Sequence, residues 1–272
     1  MKVKRICTAA LLAAVIMICG LFAACGDANG KAENKTPENG FVEEDGVRYF
    51  YRDGEKVKNS VVGDDKEGYF YAGESGAIDA GYCDGVNVDG KDWIVIEGAA
   101  YPVKTDSDQC LFTAAKDVAA CTDPGMSREE KLKACFDYIK EHYLEGVLHD
   151  PPYPYTNIDW PIVCANDLFV YGKGDCYSYG AAYAYMARAI GYTEAYACNS
   201  GGHGWAEVEK RTYDPEWSLH SNNYSYYGMR YDEECDVPYA AVISDGADYK
   251  RLQIVINEEA SGSSDSETAE YE

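Results

Sequence analysis

Three markers keep one spacing through the early part of the chain. Gly46, Gly68 and Gly90 stand 22 residues apart, as do Gly54, Gly76 and Gly98, and as do the rings of Tyr49, Tyr71 and Trp93. A shared period of this length demands a repeated unit of local structure. Glycine supplies the left-handed conformations of tight turns, and aromatic residues between turns favour extended chain. Residues 41–105 are therefore expected to form a module of stacked β-hairpins, each burying its rings against the next.

The repeat, seen as Gly46-Val47-Arg48-Tyr49-Phe50-Tyr51 and then Asp53-Gly54, resembles the cell-wall-binding repeats of choline- and glucan-binding proteins. Those repeats end in a Gly-Trp pair that helps line a ligand site. Here Gly81-Tyr82 approximates the pair, while Ser60 and Lys104 hold the equivalent places. The resemblance implies a glycan- or wall-binding module. The period alone implies only a β spacer, because repeats stack for stability whether or not they bind.

A second organising stretch follows. It reads Gly174-Asp175-Cys176-Tyr177-Ser178-Tyr179-Gly180, then an apolar run, then Gly202-His203-Gly204-Trp205-Ala206-Glu207-Val208, then Tyr213-Asp214-Pro215-Glu216-Trp217. Tyr179, Ala182, Tyr183, Met186 and Ile190 recur at helical spacing before Gly191, which puts Cys176 in the first turn of a helix with Asp175 as N-cap. Unpaired amides at a helix start favour a thiolate. Residues 203–209 and 211–217 read as two strands joined by a polar turn, a pairing able to bring Asp214 beside His203. A thiol, an imidazole and a carboxylate so placed suit nucleophilic catalysis. Cys176 attacks a carbonyl, His203 moves the proton, and Asp214 orients the imidazole.

These motifs resemble the transglutaminase-like superfamily of papain-like fold. The resemblance rests on Gly172-Lys173-Gly174-Asp175-Cys176, on Arg188-Ala189-Ile190-Gly191-Tyr192, on His203 to Val208 and on Tyr213 to Trp217, and it covers residues 127–217. It implies an α+β fold in which a helix carrying the Cys packs on an antiparallel sheet carrying His and Asp. It implies acyl transfer or hydrolysis of peptide or protein amide bonds through a thioester on Cys176, as a crosslinker, deamidase or peptidase. The family usually has Ala where Gly204 stands, a small change expected to leave the histidine's role intact. A non-catalytic protein holding wall glycan or peptide is the rival reading.

The flanks complete the expected domain, residues 106–257. Residues 106–124 read as a short helix and loop. Ser127 with Glu130 forms a capping box for a helix whose apolar face is Leu132, Cys135, Phe136, Ile139 and Tyr143. Residues 150–160 form a stiff aromatic loop expected to wall the substrate cleft. The Cys176 amide is one candidate donor to a developing oxyanion, and Tyr153, Tyr155 or Trp160 a candidate for the second. Residues 240–244 and 251–256 are expected strands, and residues 258–272 an acidic, disordered tail.

Lys2, Lys4 and Arg5 precede an apolar run that ends Leu21-Phe22-Ala23-Ala24-Cys25. This is the pattern of a secretory signal, residues 1–24. Its end resembles a bacterial lipobox, which implies lipidation of Cys25, a membrane anchor and display on the extracellular face, with residues 25–40 as a polar tether. The 24 Lys and Arg against 47 Asp and Glu oppose binding to nucleic acid. Of 11 cysteines, Cys83, Cys110, Cys121, Cys135, Cys164, Cys198 and Cys235 remain once the signal, Cys25 and Cys176 are set aside. An exported chain can pair them, but spacing does not say how. No Cys-x-x-Cys pair or full calcium loop is present, so neither a metal nor an organic cofactor is expected.

Overall fold

The computed structural model describes residues 38–149, 158–239 and 250–256. The signal, Cys25, most of the tether, Tyr153, Tyr155, the 240–244 strand and the acidic tail lie outside the described residues.

Each 22-residue repeat forms a three-stranded unit. The first is β1 (Gly40–Glu44), β2 (Val47–Arg52) and β3 (Glu55–Lys56). The second is β4 (Ser60–Asp64), β5 (Gly68–Ala72) and β6 (Ala77–Ile78), and the third β7 (Asp84–Val88), β8 (Lys91–Ile96) and β9 (Ala99–Pro102). All six marker glycines have φ between 77° and 84°, so the period records the positions where the chain must turn left-handed.

The repeats are joined through backbone pairing as well as rings. The short third strand of one unit pairs with the middle strand of the unit before it, β6 on β2 and β9 on β5. Rings also meet across units. Phe41 packs edge-on against Phe50 and Phe70, Tyr71 stacks on Tyr82, and Tyr69 meets Trp93.

The third repeat runs into the helical layer. Helix α1 (Asp106–Cys121) is longer than the short helix expected, and Thr105 and Asp108 form a capping box at its start. A Cβ on Gly85 of β7 would lie 2.4 Å from the Phe112 carbonyl oxygen, so strand and helix meet at backbone distance. Cys83, Ile94 and Ile96 share one core with Leu111, Phe136 and Tyr183. Helix α2 (Arg128–His142) begins at the Ser127–Glu130 capping box, and its face of Leu132, Cys135, Phe136 and Ile139 is buried.

Strand β10 (Leu144–Glu145) pairs in parallel with β11 (Lys173–Gly174). Between them lies α3 (Trp160–Tyr171), capped by Gly172 in the left-handed region. Trp160 therefore starts a helix rather than ending a loop. Pro161 fits a first turn, where its missing N–H costs nothing.

Helix α4 (Cys176–Ala189) is the centre of the fold. Every residue from Tyr177 to Ala187 is buried, so the single apolar face expected is instead an all-round packing surface. Its polar rings are satisfied inside: Tyr179 donates to the Tyr143 carbonyl at 3.0 Å and Tyr183 to the Leu132 carbonyl at 2.9 Å. One side lies on an antiparallel sheet of β12 (Ala195–Asn199), β13 (Gly204–Val208), β14 (Arg211–Tyr213), β15 (Tyr227–Met229) and β16 (Lys250–Gln253), in the order β15-β14-β13-β12-β16. The described residues thus form an α+β fold of several antiparallel sheets and five helices.

The strand expected over residues 211–217 stops at Tyr213. Asp214 caps α5 (Pro215–His220), with Pro215 at its first position. Asp-Pro joins a good N-cap to a residue preset for the first helical turn, and that local preference ends the strand.

Candidate active site

Three elements bring Cys176, His203 and Asp214 together. Cys176 is the first residue of α4. The Asp175 carboxylate accepts from the Tyr177 and Ser178 amides at 3.1 and 3.3 Å, a cap that does not use the Cys176 amide. His203 ends the short turn before β13, where its carbonyl accepts from the Ser200 amide at 3.0 Å. Asp214 follows β14. Ala206 pairs with Tyr213 across β13 and β14, which carries the residues beyond this register to one end of the sheet.

The geometry there is close. His203 Nε2 lies 2.5 Å from Asp214 Oδ2, leaving Nδ1 as the ring nitrogen available to the thiol. Helix α4, which begins at Cys176, packs directly on β13, which begins just after His203, and the Cys176 sulfur is among the groups that raise the imidazole's pKa. Asp214, only 1% exposed, is fully engaged. Its Oδ1 accepts the Trp217 amide at 2.9 Å, and Oδ2 also accepts the Tyr239 hydroxyl at 3.2 Å.

Burial opposes a charge on His203, but the Asp214 charge and hydrogen bond, and then the Cys176 sulfur, outweigh it. The imidazole pKa is pushed up to about 10. At neutral pH the pair is an imidazolium held by a carboxylate. Trp217 stacks on the ring at 3.8 Å, and Trp205 lies parallel at 6.0 Å.

Trp160 is buried, with its ring edge-on to Tyr177. Its Nε1 is enclosed and makes no hydrogen bond among the described residues, an uncommon state for a buried donor. Tyr153 and Tyr155 lie outside the described residues.

Two supports of the site had no functional reading in the sequence. Trp217 carried a signal, since a residue three past an N-cap donates its amide to that cap. Tyr239 carried none, because only tertiary packing places it against Asp214. Gly204 also matters more than its sequence suggests. A Cβ there would lie 2.7 Å from Tyr177 Cα, and one on Gly180 would lie 2.6 Å from Trp205 Cα. Reciprocal glycines therefore let α4 and β13 touch, which sets the distance from Cys176 to His203.

One group of metal-ligand type occurs among the described residues. The donor atoms of Glu145, Glu216 and His220 lie within 4.8 Å of one another. These side chains already pair, with His220 Nε2 at 2.5 Å from Glu145 and 3.6 Å from Glu216. A separate cleft of about 450 Å³ is lined by Tyr71, Glu74, Ser75, Asp79 and Tyr82 in the second and third repeats, and it shares no residue with the Cys176 site. No helix among the described residues is long and apolar enough to cross a membrane.

The fold and site define an α+β chain with a buried His–Asp pair facing a helix-terminal cysteine. In comparison with known proteins, no family model, no curated protein and no solved structure matches the chain.

Proposed function

We propose that this chain is a lipid-anchored, extracellular cysteine enzyme of transglutaminase-like, papain-like fold, acting on peptide or protein amide bonds. The observation that carries the reading is the buried His203–Asp214 pair at 2.5 Å, with Cys176 at the start of the helix that packs on the strand after His203. An imidazolium beside a sulfur stabilises its thiolate. The Cys176 thiolate adds to the amide carbon, and the oxyanion meets the Cys176 amide and a second donor, for which Tyr153, Tyr155 and Trp160 are the candidates. His203 then passes its proton to the leaving nitrogen as the C–N bond breaks, and an acyl thioester remains.

In the second half the now neutral His203 takes a proton from the incoming water or amine, and the C–S bond breaks. Water gives a deamidase or peptidase, and an amine gives a crosslinker. Leu144, Val147 and Leu148 expose apolar side chains on the segment after α2, and β11 beside Leu144 leads straight into Asp175 and Cys176. Exposed apolar side chains on a segment joined to the strand before the nucleophile suit a peptide or protein substrate.

The test is mass spectrometry of a peptide pool containing Gln, Lys and wall-type stem peptides after incubation with the chain, with Cys176→Ala as control. Gln–Lys conjugates, deamidated Gln or new peptide ends each name the reaction. The companion measurement is alkylation of Cys176 at neutral pH, fast in the native chain and slow in His203→Ala. A sluggish Cys176 with no product in the pool would sink the enzyme reading.

The cleft beside the stacked Tyr71 and Tyr82 rings, 5.4 Å apart, favours a second role for the repeats in holding wall glycan, since sugars pack on aromatic faces and bond to flanking carboxylates such as Glu74 and Asp79. If the Cys176 site proves inert, this cleft supports the non-catalytic binding reading.

A further inference from the structure

We infer that Cys121 and Cys135 form a disulfide that clamps α1 to α2, made by exchange with a small-molecule disulfide. Their sulfurs stand 3.9 Å apart. Cys121 is the last residue of α1 and partly exposed, whereas Cys135 lies about two turns into α2 and is wholly buried. Both helices are fixed at their starts by capping boxes and packed into one core. The sulfurs have only to close from 3.9 Å to the ~2.0 Å bond between helices already held in one core. Cys83 is the rival partner for Cys135; its sulfur accepts from the Glu97 amide at 3.5 Å, much as the Cys121 sulfur donates to the Val118 carbonyl at 3.6 Å, and the 3.9 Å sulfur contact is what favours Cys121.

The two thiols divide the work. Solvent reaches Cys121, so its thiolate attacks the small disulfide, forming a mixed disulfide and expelling one thiolate. The Cys135 sulfur then attacks the Cys121 sulfur, and its proton passes to the second thiolate as that group leaves. Two protein thiols are oxidised and one external disulfide becomes two thiols. Until that moment the Cys135 thiol is held well above the usual range, first by its hydrogen bond to Cys121 and then by burial. Capping Cys121 as a mixed disulfide removes the first of these causes when Cys135 must ionise. The clamp joins two helices that both pack on the Cys176 helix, and it does not depend on the catalytic reading.

The experiment is to incubate the full chain with oxidised glutathione, block free thiols, and digest with trypsin without reductant. Cys121, Cys135 and Cys83 fall in separate peptides, 117–128, 134–140 and 67–91. The expected result is a linked 117–128/134–140 pair, absent in Cys121→Ser. The thermal midpoint of the oxidised chain should rise on the order of 5–10 °C and fall back in dithiothreitol. A 134–140 peptide linked to 67–91, or Cys121 and Cys135 both recovered as blocked thiols, would overturn the assignment. A linked pair that leaves the midpoint unmoved would overturn the clamp. If Cys121→Ser fails to fold, the comparison of oxidised and reduced native chain decides alone.

Discussion

The Trp217 indole lies flat on the His203 imidazole, with centroids 3.8 Å apart and planes 10° from parallel. Asp214 joins the two, taking the imidazole on one oxygen and the Trp217 amide on the other. Without the indole the ring would lose one wall of its slot and its orientation toward Cys176. Trp217→Ala should slow alkylation of Cys176 at neutral pH by about tenfold or more, the scale of an orientation effect. Trp217→Phe, which keeps a flat face, should lose less.

Asp214 supplies a charge and a helix cap, and two substitutions separate them. Asp214→Asn keeps an acceptor for the Trp217 amide but removes the charge that outweighs burial at His203. The imidazole should then be neutral at pH 7, turnover should fall on the order of 10²–10⁴-fold, and the urea midpoint should drop by the stability that the held proton supplied. Asp214→Ala also strips the cap, adding a stability loss of about 1 kcal/mol. Equal urea midpoints for the two variants would show that the cap contributes nothing.

The His203 pKa, pushed up to about 10 from an ordinary 6.5, ties stability to pH. Between those values the folded chain holds a proton that the unfolded chain has released, so stability falls as pH rises through that window. The contribution is fully present below about 6.5 and gone above about 10. Thermal midpoints measured from pH 6 to pH 10 should decline, and the decline should be shallower in His203→Ala. Parallel curves would assign the slope to other groups.

Gly204 and Tyr177 touch through their backbones. Gly204→Ala should cost about 1–3 kcal/mol in urea unfolding, the range for forced overpacking. It should also slow Cys176 alkylation, because the strand that carries His203 would move away from α4. An unaltered alkylation rate would show that the close approach serves packing alone.

What was legible beforehand rested on short-range rules. Cys176 at a helix start with Asp175 as cap, the Ser127–Glu130 capping box and the left-handed turns at the repeat glycines all depend on neighbours within a few residues. Helix α3 escaped because residues 160–171 are apolar almost all round and show no clean period. Helix α5 is hidden in the sequence because residues 211–217 suit a continuing strand as well as a cap and first turn at Asp214-Pro215. Helix α4 shows an amphipathic spacing in the sequence, although partners surround it on every side.

The sequence alone determined where the chain turns, where most helices begin and which three residue types stand in order, since each is settled by backbone sterics and local hydrogen bonds. Tertiary structure alone decided that Asp214 accepts the Tyr239 hydroxyl, that Trp217 covers His203, that third strands pair with the preceding repeat and that the Cys121 and Cys135 sulfurs meet. These contacts join residues far apart along the chain or on different elements. They exist only where close packing fixes helices and strands at one distance and one angle, which no local pattern encodes.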